Sequence, residues 1–262
     1  MRLASGASLR YLDHGSNMLR AAQAEDIPQT LLGGAWGWDL QCGGYEYSPT
    51  LAALALIGRG ARYRSERHHP LAQGANYVPD RLERGDVILL EVQTRAGLHR
   101  RLPFGYHAFQ RSVIQALLDA GLVVVIPSGN GGWDFNQPTP GLDPHAVAYL
   151  RDGGGGALYV SGPASFANRG PGFKVTGPTS MLLAPTAGFN PVISSGTSTA
   201  AAAVAGLTCR MQSVARSNAG PLSSALMNDV IGSPNLVTGM PNGLQMVQLV
   251  ANNDAAALAA LV

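Results

Sequence analysis

The stretch DVILLEVQTRAGLHRRLPFGYHAFQRSVIQALLDAGLVVVIPSGNGG (86–132) decides the fold. It opens on DVILLEV (86–92), a continuous apolar run of the kind that fills a parallel strand covered on both faces. From His107 to Ala120 apolar residues recur at helical spacing, and Gly121 breaks the pattern just before a second apolar strand, Leu122 to Ile126. Strand, crossover helix and strand in that order form a parallel unit. Outward from it, Ala157 to Val160 reads as another short strand, and STAAAAVAGLTCRMQSV (198–214) as a helix of small residues able to pack closely on all sides. On the amino-terminal side, Leu9 to Leu12 reads as a strand that stops at the turn Asp13-His14-Gly15. SPTLAALALI (48–57) reads as a buried helix with Ser48 as a possible cap, Pro49 in the first position and Gly58 near its end. The alternation predicts an α/β fold: a doubly wound, mainly parallel sheet with helices on both faces, whose ligands bind beyond the carboxyl ends of the strands.

Composition narrows the function. The chain has 262 residues, 46% of them hydrophobic and 13% charged, which suits one domain spanning 1–262. The formal charge is only +2 and the basic residues are mostly scattered arginines, so no nucleic-acid partner is expected. Thirty-three glycines and seventeen prolines fit a sheet fold with many tight turns, of which Gly153 to Gly156 is the extreme case. Of the two cysteines, Cys42 and Cys209, the second falls in an apolar helical run, where a buried thiol is a commoner reading than a disulfide. No signal-like apolar stretch opens the sequence, and no run reaches the ~18 apolar residues of a membrane span. A cytoplasmic chain without a membrane partner is the expectation. The six histidines show no ligand spacing, no aspartate-rich calcium loop is present, and neither a metal nor a cofactor is expected.

Two segments can carry chemistry. SSGTSTA (194–200) leads straight into the small-residue helix, which sets the Ser198 hydroxyl at the positive end of a helix dipole beside free backbone N–H groups. Serines and threonines there are also ordinary helix caps. Asn130 sits in a glycine-rich turn after a buried strand, where its amide can donate to a developing oxyanion or simply cap its own turn. Asp13 and Asn130 both end strands and Ser198 opens a helix, so the fold pattern brings the three toward one crevice.

Taken in order, these segments resemble the subtilisin family. GTSTAAAAVAGL (196–207) resembles its nucleophile motif, LVVVIPSGNGG (122–132) its oxyanion strand and turn, and FANRGP (166–171) the turn between them. LRYLDHG (9–15) is similar to the strand and turn that carry the family's acid, at Asp13, with Asp39 as the alternative. The resemblance implies a three-layer subtilisin-like fold and a serine peptidase in which Ser198 attacks a carbonyl. Asn130 and the Ser198 N–H would hold the oxyanion. The peptide would extend along Glu91 to Thr94, with Glu91 favouring a basic side chain. One element departs from the family: where its histidine-glycine-threonine motif opens a helix, this chain keeps Thr50 but has Ser48 in the histidine's place. A serine hydroxyl cannot take up the nucleophile's proton near neutral pH. Glu46, His68 and His69 are the candidate substitutes, with His14 the weakest. Ala201 and Ala202 stand where the family usually has proline and histidine, which bears on packing rather than chemistry. Two readings remain open: a divergent serine hydrolase, or a catalytically inactive subtilisin fold retained for binding or scaffolding.

Overall fold

The computed structural model describes residues 84–91, 93–183, 192–218 and 220–232. Its centre is a four-stranded parallel sheet in the order β1 (Val87–Leu89), β4 (Val123–Pro127), β5 (Leu158–Ser161), β6 (Val175–Thr176). Val87 pairs with Val123, Val125 with Leu158 and Val160 with Val175. Every residue of β4 is buried, as its unbroken apolar sequence requires. Alternation along the strands divides the core in two. Val124, Ile126, Ala157 and Tyr159 face Val113, Ile114 and Leu117 of α1 (Ala108–Asp119). Val123, Val125, Leu158, Val160 and Val175 face the other way, onto Ala201, Val204, Leu207 and Met211 of α3 (Thr197–Asn218) and Met227 and Val230 of α4 (Ser224–Ile231). Helices therefore cover both faces, and the architecture is the expected three-layer α/β. Each aliphatic side chain so buried is worth about 1.5–3 kcal/mol, so the two faces together supply the main drive to fold.

The predicted elements that fall on described residues lie within a few residues of the observed ones, and several more appear. β2 (Gln93–Ala96) and β3 (His99–Pro103) form an antiparallel hairpin with a bulge between Thr94 and Ala96. Its sequence, QTRA and HRRLP, carries no apolar run, so only the backbone pairing marks it as sheet. α2 (Pro144–Arg151) starts at Asp143, whose side chain accepts from the His145 N–H, with Pro144 in the first helical position. β7 (Ser180–Leu183) pairs antiparallel with β8 (Val192–Ser195), which runs into α3. α4 is capped by the Ser223 hydroxyl, which accepts from Leu226 N–H.

Gln110 ties the hairpin to α1. Its Oε1 accepts from the N–H groups of Gly105 and His107, and its Nε2 donates to Thr94 Oγ1. Cys209 is partly buried in α3. No helix among the described residues is long and apolar enough to cross a membrane. The expected strand at 9–12, the helix at 48–57, Asp39 and Cys42 lie outside the described residues.

Candidate active site

Gly196 makes the turn from β8 into α3 with φ +131°, a backbone conformation that side-chain-bearing residues rarely adopt, and its N–H donates to Thr179 O. The turn delivers Thr197 and Ser198 to the first turn of α3. There the backbone N–H groups have no partner within the helix, and the helix dipole is positive. Thr197 is fully buried, whereas Ser198 keeps a sliver of exposure, 5%. The Ser198 hydroxyl makes no hydrogen bond among the described residues.

Asn130 lies just beyond the carboxyl end of β4, opposite this turn. Its Oδ1 accepts two hydrogen bonds, from the Thr197 N–H and from Thr197 Oγ1, each 2.9 Å. A backbone N–H can only donate, so the atom it meets must be the amide oxygen. The Nδ2 donor is left free among the described residues. A β-carbon built on Gly196 would stand 3.4 Å from Asn130 Nδ2 and 3.8 Å from the Ser198 backbone nitrogen. Both nitrogens therefore lie close to the Gly196 turn that leads into α3.

The turn holding Asn130 is secured from outside itself. Three successive N–H groups each meet a side-chain oxygen from a different segment: Gly129 donates to Thr197 Oγ1, Asn130 to Gln93 Oε1 and Gly131 to Asn168 Oδ1. Asn168, fully buried, fills all four of its amide's hydrogen-bonding positions. Its Oδ1 also accepts from Trp133 N–H, and its Nδ2 donates to Arg101 O and Ser128 O. Gly129 has φ +91°, and a β-carbon there would come within 2.4 Å of Arg101 O, so the close approach admits only glycine.

Of the residues singled out in the sequence, the structure brings Ser198 and Asn130 together. Asp13, Ser48, Glu46, His68, His69 and His14 lie outside the described residues. None of the described histidines hydrogen-bonds Ser198. His99 sits edge-on to Trp133, His107 meets Arg95 O, and His145 lies in the first turn of α2.

Glu91 stands just past the carboxyl end of β1 and is half-buried. Its Oε1 is shielded from solvent, and burial pushes its pKa well above the ordinary carboxylate range. A carboxyl held toward its neutral form attracts cations poorly. In the neighbouring segment expected to receive a peptide, β3 pairs with one edge of β2.

Sequence reasoning passed over Thr197 and Gln93. Thr197 stood in plain sight beside the serine, but its double role shows only once Gly129 and Asn130 are seen across the gap. Nothing in QTRA signals the Gln93 contact. A cleft lined by Arg151, Lys174, Asn228 and Asp229 opens near the amino ends of β5 and β6, away from Ser198.

No protein-family model matches the chain. A subtilisin-like protease of Coccidioides posadasii (strain C735) is 32% identical over 158 residues, covering 53% of this chain and 35% of that protein. The chain thus spans about a third of the length of this curated relative. Among solved structures, the prenylagaramide maturation protease PagA gives a TM-score of 0.43 at 16% identity, over 63% of this chain and 62% of that one. A cold-adapted subtilisin-like serine proteinase gives 0.40 at 18%, over 66% and 54%. The PatG macrocyclase in complex with peptide gives 0.43 at 16%, over 95% and 82%.

Proposed function

We propose that this chain, a divergent member of the subtilisin-like family, is a serine hydrolase of the peptidase type, with Ser198 as nucleophile and Asn130 as oxyanion donor. The observation that carries the reading is the pinned Asn130 amide, whose oxygen is tied twice to Thr197 and whose Nδ2, without a partner among the described residues, lies close to the Gly196 turn as does the Ser198 nitrogen. An asparagine that served only to cap its turn would have no need to be fixed against the helix that carries the serine.

In the reaction, Ser198 Oγ bonds to the substrate carbonyl carbon while its proton passes to a base. The carbonyl π electrons move onto oxygen, which Asn130 Nδ2 and the Ser198 N–H then hold. Collapse of this intermediate expels the leaving amine, which takes the proton from the same base. Water repeats the sequence to release the acid. Glu46, His68 and His69 are the candidates for the base, and Asp13 is the position that matches the family's acid. Ser48 in the histidine's place is the observation behind the second reading, a fold kept for binding after catalysis was lost.

A fluorophosphonate probe at neutral pH separates the two. The hydrolase reading expects an adduct on Ser198, located by intact mass and peptide mapping and absent from Ser198→Ala. No adduct under conditions that label an ordinary subtilisin leaves the binding reading. Asn130→Ala is expected to slow labelling roughly 100- to 1,000-fold, the cost of removing one such donor in subtilisin-type enzymes.

A further inference from the structure

Gly129, Asn130, Gly131 and Gly132 make up a turn with three glycines, which by itself would leave Asn130 loosely placed. Its consecutive N–H groups are held by Thr197, Gln93 and Asn168. Two of these holders, Thr197 and Asn168, belong to the segments that carry the subtilisin resemblance. Gln93 does not: it opens β2, the strand along which a peptide was expected to lie, and its side chain crosses to the Asn130 N–H at 3.0 Å. The same asparagine is thus gripped at its backbone from the substrate strand and at its side chain from the nucleophile helix.

We infer that Gln93 is a positioning residue that sets the aim of the Asn130 oxyanion donor from the substrate strand, an inference that rests on the hydrolase reading above. The bond fixes the backbone of Asn130, Thr197 fixes its Oδ1, and the direction of Nδ2 follows from the two together. Without Gln93 the backbone can pivot about the glycines on either side, while the amide stays tethered at its oxygen. Nδ2 then samples directions that miss the oxyanion.

Gln93→Met keeps the length of the side chain and removes the acceptor. Two readouts test it against the wild type. The first is hydrogen exchange of the Asn130 backbone amide, followed by NMR on the full chain and expected to speed up in the variant. The second is the rate of fluorophosphonate labelling at Ser198, measured in a cycle with Asn130→Ala. Loss of one net hydrogen bond corresponds to a slowing of roughly five- to tenfold. That slowing is expected in the wild-type background and is expected to shrink to within about twofold when Asn130 is already alanine, because no donor is left to aim. Equal slowing in both backgrounds marks a merely structural effect and overturns the inference. So does labelling at the wild-type rate, or unchanged exchange at Asn130. A wild type that never labels removes the hydrolase reading and this inference with it, which separates that failure from the others.

Discussion

The hydroxyl of Thr197 accepts from Gly129 N–H and donates to Asn130 Oδ1. Valine has the same shape and can do neither. Thr197→Val leaves a buried N–H and a part-buried amide oxygen each short of one partner, at a cost of about 1–3 kcal/mol. Urea denaturation is expected to show that loss, with slower fluorophosphonate labelling alongside it. Asn168→Ala is expected to be harsher, about 3–4 kcal/mol, since it strips partners from Gly131 N–H, Trp133 N–H, Arg101 O and Ser128 O at once. At this scale the sequence was uneven. That the Asn130 turn would meet the turn carrying Ser198 was legible, because each sits in a segment whose order is distinctive. Gln93 was not, because a glutamine in a polar hairpin looks the same whether it faces solvent or crosses a cleft.

Ala200, Ala201 and Ala202 are all without solvent exposure, so the small residues of α3 let the helix lie close against β4 and β5. Gly177 completes the fit: a β-carbon there would come within 2.7 Å of Ala200 O, an atom of the helix backbone that cannot swing aside. Gly177→Ala is therefore expected to push the first turn of α3 outward. A lower melting temperature with a slower labelling rate is the expected signature, and an unchanged protein would mean the strand yields instead. Elements with strong periodicity or unbroken apolar runs, α1, β4, β5 and α3, were legible to within a few residues. The β2–β3 hairpin was not, because its stability comes from backbone pairing and from Gln110 reaching Thr94 rather than from an apolar pattern. α2 carried a signal, Asp143 before Pro144, that went unread inside a polar loop.

Across the described residues the architecture is three layers deep, and just past the end of β1, burial makes the Glu91 carboxyl resist ionisation. Glu91, with an ordinary pKa of 4.5, has its folded value raised by burial. Below pH 4.5 the carboxyl is neutral in folded and unfolded chains alike, and its burial costs little. As pH rises toward the folded value the unfolded chain ionises first, so the stability contributed by the neutral group is lost. Unfolding free energy measured from pH 4.5 upward is expected to fall in the wild type and to fall less in Glu91→Gln, which cannot ionise. A steeper fall in the variant would place the pH dependence elsewhere. The layered architecture was the most legible level of all, since strand and helix alternation alone dictates it. The hydrogen bonds that join the two halves of the site have a further, temporal meaning. Gly129 and Asn130 meet Thr197, and Arg101 meets Asn168, across 67 or 68 residues of chain. Contacts so distant close late, after local helices and turns have formed. On the hydrolase reading, a nascent or refolding chain is accordingly inert until the junction of Asn130 with Thr197 has closed.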